Sequence, residues 1–319
     1  MPTGAHGLNA AVVEINGVVK RYGATPVVRG VSFSCGEGEV IGLAGHNGAG
    51  KSTLFKMMLG IIAADEGDIL LFGEPVRGRR FREVRRAIGY LPEHVALYDN
   101  LSGLETLRFF ARLKSADPSR CKSLLERVGL GSAIHRAVRE YSKGMRQRLG
   151  FAQALLGQPR LLMLDEPTNG LDPEAIHAFY DVLDQLRQDG ATIILSSHLL
   201  AEIQSRVDRL VIMASGQLVA QGTVAALAAA TGLPARLVVT PRDGARDRVR
   251  GALLAAGFVP QDLADGEVQV AVATPQRMAL LGVLADLSDA LTAYAIAEPT
   301  LEDVFLRHQR GVTWVERAA

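Results

Sequence analysis

The chain has 319 residues, more than one domain usually holds, and this length predicts two domains. Its apolar content of 48% suffices for an ordinary core, and its net charge of +1 gives no reason to expect nucleic acid as a partner. Only Cys35 and Cys121 are present, without metal-ligand spacing, which argues against a disulfide framework and fits a reducing cytosolic environment.

The chain starts with MPTGAHGLNA, which has neither the basic region nor the apolar core of an export signal. No run approaches the ~18 apolar residues that a membrane-spanning helix needs. We therefore expect a soluble chain, and any membrane role must come through a partner.

The first predicted element with a chemical role is a phosphate-binding loop, GHNGAGKS, at Gly45–Ser52. It matches G-x-x-x-x-G-K-[ST] at every fixed position and lies between a predicted strand, 40–44, and a predicted helix, Ser52–Leu59. The glycines let successive N–H groups point at phosphate oxygens, and the helix N-terminus adds positive partial charge. Lys51 is predicted to reach the β- and γ-phosphates, and the Ser52 hydroxyl to ligate Mg²⁺. The residues predicted to contact nucleotide here are Gly45, His46, Asn47, Gly48, Ala49, Gly50, Lys51, Ser52 and Thr53.

A strongly basic run, RGRRFREVRR, follows at Arg77–Arg86. A solvated face is the simplest interpretation of such a run. Contact with anionic lipid or with a partner subunit is the alternative.

Two carboxylates end a predicted buried strand. The four apolar residues Leu161–Leu164 lie between two prolines, a pattern typical of a parallel strand covered on both faces. Polar side chains at the carboxyl end of such a strand lie in the crevice where open α/β sheets bind ligands. Asp165 is predicted to hold the metal, directly or through water. Glu166 is predicted to accept the proton of the attacking water, a role worth about 10²–10⁴-fold in rate.

Two further segments contain candidate site residues. Tyr141–Met145 opens a predicted helix, Arg146–Leu156, and its serine and glycine at a helix N-terminus form a second candidate anion site. Downstream, the predicted strand Thr192–Leu195 ends in two serines and His198. A single histidine after a strand is usually a surface residue, so the role of His198 depends on the motifs before it.

All nucleotide motifs lie within residues 1–221, and residues 222–319 are predicted to form a small α+β domain, with a ferredoxin-like fold as one candidate. A linking helix, Thr223–Ala230, begins with Thr223 as N-cap. No catalytic constellation is present in this domain, so a passive extension and a regulatory or dimer-contact role both stay open. Its predicted elements are strand Ala235–Thr240, helix Asp247–Ala256, strand Glu267–Ala273, helix Pro275–Leu287, strand Leu291–Ile296 and helix Leu301–Arg307.

In this order and spacing, the motifs resemble those of the ATP-binding cassette (ABC) transporter ATPases. Tyr141–Met145 is similar to the signature motif LSGGQ, with matches at Ser142 and Gly144; Gly170–Pro173 is similar to the D-loop, and His198 to the switch histidine. The resemblance implies a P-loop NTPase fold with a RecA-like core and a helical subdomain, with ATP and Mg²⁺ as cofactors. It also implies a homodimer in which each ATP lies between Lys51 of one subunit and the signature segment of the other. The further nucleotide contacts that it implies are Ser142, Lys143, Gly144, Met145 and Asp172.

Two more positions are identified through this resemblance. Tyr22, in VKRYG, matches the aromatic residue that stacks on adenine. Glu93, in GYLPEH, stands where the family carries the Q-loop glutamine. A glutamate keeps the acceptor oxygen that can face Mg²⁺, but it loses the amide donor and adds a negative charge.

Less generic segments resemble the NosF family, the ATPase subunits of transporters that support maturation of the copper centres of nitrous oxide reductase. These segments are Gly45–Lys51 with His46 where proline is usual, Tyr90–Lys114 with Glu93 in place of glutamine, Tyr141–Pro173, and the closing EPTLEDVF at 298–305. The resemblance implies a NosY-like membrane permease, a NosD-like periplasmic protein and a location at the cytoplasmic face of the inner membrane. Whether the cargo is copper or a sulfur species stays open.

Three other functions compete with this one. ATPases of ABC exporters for drugs or lipids share the length and the C-terminal extension. Soluble non-transport ABC proteins, such as translation factors, normally carry two cassettes in one chain. DNA-repair ATPases carry a long coiled-coil insertion, which this sequence lacks.

Overall fold

The computed structural model describes residues 11–230, 234–263 and 265–297, which form two compact units that divide between Thr223 and Val224. The boundary predicted from the sequence, after Gln221, lies two residues earlier. The predicted helix Leu301–Arg307 lies outside the described residues. No helix within the described ranges is long and apolar enough to cross a bilayer.

The first unit contains ten strands and seven helices among its described residues, apart from short 3₁₀ turns. The strands are β1 (Ala11–Tyr22), β2 (Thr25–Gly36), β3 (Val40–Ala44), β4 (Glu66–Leu71), β5 (Glu74–Pro75), β6 (Ile88–Leu91), β7 (Leu161–Leu164), β8 (Thr192–Ser197), β9 (Arg209–Ala214) and β10 (Gln217–Gly222). The helices are α1 (Lys51–Met58), α2 (Phe81–Val84), α3 (Gly103–Lys114), α4 (Cys121–Arg127), α5 (Lys143–Ala154), α6 (Pro173–Gln188) and α7 (Leu200–Ile203), and α8 (Val224–Ala230) follows the division.

A six-stranded sheet positions the site. Its order is β10-β9-β3-β8-β7-β6, and every neighbouring pair is parallel except β10 with β9. Every residue of β3, β7 and β8 is buried, as expected for parallel strands covered on both faces. The strand predicted at Leu161–Leu164 is therefore confirmed, and the carboxyl ends of β3, β7 and β8 meet at one edge of the sheet.

A second, antiparallel sheet of order β2-β1-β4-β5 packs with α1 against the central sheet. The shared core contains Ile15, Phe33, Phe55, Ile41 and Met163, each with little or no exposed surface. Helix α1 is thus fixed from both sides, and its N-terminus is held at the end of β3.

The helices α3, α4 and α5 form the helical part of the first unit, and α5 also contacts β6. Helix α3 begins with a capping box: Ser102 accepts from the Glu105 N–H, and Glu105 accepts from the Ser102 N–H. Helix α5 begins at Lys143, three residues before the predicted start at Arg146, because Ser142 caps it.

Among its described residues, the second unit contains α8, two further helices and a four-stranded antiparallel sheet. Its strands are β11 (Ala235–Pro241), β12 (Gln261–Asp262), β13 (Val268–Val272) and β14 (Leu291–Ala297), and the order in the sheet is β12-β13-β11-β14. The β-α-β-β-α-β succession with this strand order is that of ferredoxin-like units. Its core joins Leu237 and Val270 of the strands to Val249, Leu253 and Leu280 of the helices. The sequence missed the short strand β12. The two further helices are α9 (Arg246–Ala255) and α10 (Arg277–Asp286).

Candidate nucleotide site

The loop between β3 and α1 has a backbone that only glycine accommodates at two positions. Gly50 has φ +101°, and a Cβ atom there would lie 2.9 Å from the Val27 carbonyl oxygen. At Gly45 a Cβ atom would lie 2.5 Å from the Met213 carbonyl oxygen. The glycines of the motif are therefore required by the fold as well as by phosphate binding. Helix α1 begins at Lys51, one residue before the predicted start.

A cavity of about 360 Å³ lies above this loop. Its wall consists of the loop and the start of α1, with two glutamates facing them. A polar cleft that ends at a helix N-terminus fits a polyphosphate. Gly45 is not in the wall and lies behind it. The lining residues are Val27, His46, Asn47, Gly48, Ala49, Gly50, Lys51, Ser52, Thr53, Glu93 and Glu166.

Lys51 and Glu166 form a buried ion pair at the floor of the cavity. The side chains of both residues are 6% exposed, and Lys51 Nζ lies 3.1 Å from Glu166 Oε1. Lys51 Nζ also donates a hydrogen bond to the Gly45 carbonyl oxygen. The predicted phosphate-binding cation is thus neutralised by the predicted catalytic carboxylate.

The other oxygen of Glu166 contacts the predicted switch histidine. His198 Nδ1 lies 2.7 Å from Glu166 Oε2, and the His198 backbone N–H donates to the same oxygen at 3.3 Å. Glu166 Oε1 is buried and receives no hydrogen bond, although Lys51 lies near it. Apart from the ion pair with Lys51, this oxygen has no partner among the described residues, so a water molecule in the cavity could bind to it.

Ser196, at the end of β8, connects the two carboxylates after β7. Its Oγ donates to Asp165 Oδ1 at 2.6 Å and accepts from the Glu166 backbone N–H at 2.9 Å. Glu166 has φ +48°, a left-handed backbone conformation that costs energy in a residue other than glycine. The bond from Glu166 N–H to Ser196 helps to hold this conformation.

The predicted metal ligands Ser52 and Glu93 line the cavity, and Asp165 lies beneath it, 2% exposed. Within the described ranges no three His, Cys, Asp or Glu side chains group as a preformed metal site. Mg²⁺ bound through one or two carboxylates plus substrate phosphates needs no such group, so this donor set fits Mg²⁺ with nucleotide. Burial, with Asp165 and Glu93 nearby, raises the pKa of the Tyr90 hydroxyl, which keeps it a neutral neighbour of these carboxylates.

Several predicted contacts do not line the cavity of their own chain. Tyr22 ends β1, is 51% exposed, and has the Lys20 amine 5.9 Å from its ring centre. Ser142 caps α5 by accepting from the Met145 N–H at 3.2 Å, and Asp172 caps α6 by accepting from the Ala175 N–H at 2.8 Å. Lys143 and Gly144 follow Ser142 in the first turn of α5.

Two residues that sequence reasoning missed support the site. Ser196 is fully buried between the carboxylates, and Gln147 is 5% exposed and donates through Nε2 to the Pro167 carbonyl oxygen at 3.2 Å. Gln147 therefore ties α5 to the turn that follows Glu166. A serine closing an otherwise apolar strand and an amide on the buried side of a helix are the signals that could have identified them.

A family model for the ABC transporter matches residues 28–169, which include the phosphate loop, α5 and the two carboxylates. The uncharacterized ABC transporter ATP-binding protein YhcH of Bacillus subtilis (strain 168) is 42% identical over 210 residues, 65% of this chain and 68% of that protein. The daunorubicin resistance ATP-binding protein DrrA3 of Streptomyces coeruleorubidus is 35% identical over 301 residues, 92% of this chain and 94% of that protein.

The chain is also similar to the solved structure of an ABC transporter subunit. A structure described as the ATP-binding subunit of an ABC transporter superposes with a TM-score of 0.64 at 32% identity. The match covers 69% of this chain and 93% of that chain. The predicted α/β fold of a nucleotide-binding domain is thereby confirmed.

Proposed function

Because the chain belongs to the ATP-binding proteins of the ABC transporter family, we propose that it energises a membrane permease by hydrolysing ATP at the Lys51–Glu166 site. The observation that carries this proposal is the buried Glu166 carboxylate, which faces the cavity above the phosphate loop. Proteins of this family work as dimers with permease partners, and we propose the same for this chain.

The residues around the cavity have different roles in the proposed reaction. The loop N–H groups and Lys51 bind the phosphates, and Lys51 exchanges Glu166 for phosphate oxygens when nucleotide enters. Ser52, Glu93 and Asp165 are the residues that would hold Mg²⁺. When bound, Mg²⁺ neutralises charge on the transferred phosphoryl group. Glu166, released from Lys51 and oriented by His198, takes the proton of the attacking water.

Of the contacts that do not line the cavity, those at the start of α5 and α6 face the nucleotide of a second subunit in this proposal. Ser142, Lys143, Gly144 and Met145 at the start of α5 would reach the γ-phosphate held by the partner, with Asp172 beside the interface. Exposure of Tyr22 at the end of β1 leaves its ring available for adenine. ATP binding would close the dimer, and hydrolysis with product release would reopen it.

For the specific task we propose assembly of the copper–sulfur centre of nitrous oxide reductase, with a NosY-like permease and a NosD-like periplasmic protein, at the cytoplasmic face of the inner membrane. The support is the resemblance at Gly45–Asn47 and at Tyr90–Lys114, together with Glu93 in the cavity wall in place of glutamine. The physical chemistry of the site supports ATP-driven work.

Gene replacement in the host tests this assignment. Glu166→Gln should leave the reductase exported but without its catalytic copper–sulfur centre, as measured by metal content and absorption of the isolated enzyme. Glu126→Gln, an exposed glutamate on α4, is the matched control and should leave the centre intact. A complete centre in the Glu166 variant, or a host that makes no such reductase, contradicts the assignment.

Export of a drug or lipid is the second candidate. The specific observation in its favour is the match to the daunorubicin resistance protein, which extends over 92% of this chain and so includes the second unit. The same Glu166→Gln strain separates the two tasks: loss of efflux with an intact reductase supports export.

A further inference from the structure

The two edges of the sheet in the second unit differ in a way that concerns association. One edge is β12, which has only two residues, Gln261 and Asp262. Asp262 is also engaged in ion pairs with Arg246 and Arg250. Short strands and charged side chains are the usual means by which proteins prevent an edge from pairing with another chain.

The other edge, β14, has neither protection. It runs for seven residues, LTAYAIA, without a charged residue or a proline. It pairs on one side with β11, and its outer side pairs with no strand among the described residues. Six of its seven residues are exposed. A long, uncharged and exposed edge strand is a template for pairing.

The side chains of β14 add an apolar surface to this edge. Tyr294 lies opposite Val239 and Ile296 opposite Leu237, so both project from the face of the sheet that packs against the helices. Val239 and Leu237 are fully buried, whereas Tyr294 is 60% exposed and Ile296 45% exposed. The helices of the unit therefore cover the centre of this face and leave its β14 border open.

We propose that β14 pairs antiparallel with β14 of a second copy of this chain, which joins two second units into one eight-stranded sheet. Two properties of the strand select a second copy as the occupant. Self-pairing places no like charges opposite each other, because the strand has none. In the register centred on residue 295 it also brings Tyr294 of each copy opposite Ile296 of the other, on the same face of the sheet.

The cassette dimer of the proposed function supplies this second copy, and on that point the inference rests on the proposed function. A partner already tethered nearby is present at an effective concentration in the millimolar range, about 10⁻³ M for short flexible linkers. Edge pairing that would be too weak to hold two free molecules together can then form within the cassette dimer.

Lysines on β14 test the pairing in the full-length chain. In Ala293→Lys/Ala295→Lys, lysines oppose each other in every register centred on residues 293–295. We therefore expect dimerisation with a non-hydrolysable ATP analogue bound to weaken at least about tenfold by sedimentation equilibrium. The matched control is Gln269→Lys/Ala271→Lys, with the same spacing on the same face of the inner strand β13. The control should dimerise like the wild type.

A cysteine scan supplies an independent test. A two-fold axis normal to the sheet makes one residue of β14 face its own copy, with Cα atoms about 4.5–5.5 Å apart, which is within disulfide range. Single cysteines at 292–296 should therefore give intermolecular disulfides with one maximum. The native Cys35 and Cys121 are buried and give a low background.

Three results would overturn the inference. They are equal dimerisation of the two lysine variants, a flat cysteine profile, and hydrogen-exchange protection of the outer β14 amides in a chain diluted to monomer. The last result would mean that the edge is covered within its own chain. ATP hydrolysis is measured in every variant. If the wild type hydrolyses ATP and the lysines do not change dimerisation, edge pairing alone is refuted. If the wild type does not hydrolyse ATP, the proposed function is refuted.

Discussion

Ser196→Ala is the substitution that most directly tests how the catalytic carboxylates are positioned. Ser196 is fully buried, and its hydroxyl makes one hydrogen bond to the Asp165 carboxylate and one from the Glu166 N–H. A bond to a charged group contributes about 1.5–3 kcal/mol and a neutral one about 0.5–1.5 kcal/mol. The variant should therefore lose about 2–4 kcal/mol of unfolding free energy in the first unit.

The same substitution should change the site as well as its stability. Without the hydroxyl, Asp165 loses a fixed donor, and the left-handed backbone of Glu166 loses a restraint. We expect a higher Mg²⁺ concentration for half-maximal ATP binding and a lower turnover number. Urea unfolding followed by circular dichroism gives the unfolding free energy. Titration with ATP at fixed Mg²⁺ concentrations gives the Mg²⁺ dependence of ATP binding, and the rate of ATP hydrolysis gives the turnover number.

Thr192→Ala is the matched control, because Thr192 is also buried and lies at the opposite end of the same strand. Its hydroxyl accepts from the Gly38 N–H at 3.0 Å, far along β8 from the carboxylates. This variant should lose about 1–3 kcal/mol by leaving that N–H unpaired and should keep the Mg²⁺ dependence of the wild type. Unchanged Mg²⁺ dependence in Ser196→Ala, or an equal change in both variants, would refute the reasoning.

Three further predictions follow from the site and the fold. Glu166→Gln should bind ATP and lower turnover about 10²–10⁴-fold, because an amide cannot accept the proton, and the closed dimer should accumulate on size exclusion; near-wild-type hydrolysis would remove Glu166 from the mechanism. Glu93→Gln should change permease-stimulated hydrolysis more than basal hydrolysis. If the variant hydrolyses ATP at the wild-type rate both with and without the permease, a Q-loop role is contradicted. A chain ending at Thr223 should still bind ATP in equilibrium dialysis while its dimerisation changes; a folded truncation without affinity would contradict the division between the units.

The phosphate loop was predictable from sequence because its chemistry is local. Successive N–H groups must curl around an oxygen, and the fixed glycines permit this whatever the rest of the chain does. The buried strand before Asp165 was predictable for a similar reason, since four large apolar residues between prolines leave few other structures. Both were confirmed within one residue at their boundaries.

The supporting contacts were not predictable, because they depend on which strands become neighbours. Ser196 meets Asp165 only because β7 and β8 pair in parallel with Leu164 opposite Leu195. Gln147 meets Pro167 across a sequence separation of 20 residues. Strand β12 is too short to produce an alternating pattern, so its two residues gave no signal.

The contacts of Glu166 relate its proposed role as a base to the proposed binding of phosphate at Lys51. Removing either partner of a buried ion pair costs several kcal/mol, so Lys51 and Glu166 stabilise each other. Phosphate oxygens can replace the carboxylate at Lys51 because they carry the same sign of charge. Glu166 then keeps His198 on one oxygen and has the other free, since that oxygen accepts no hydrogen bond from the protein. In the proposed mechanism the base is therefore released by the event that delivers its substrate, which would couple hydrolysis to occupancy of the loop.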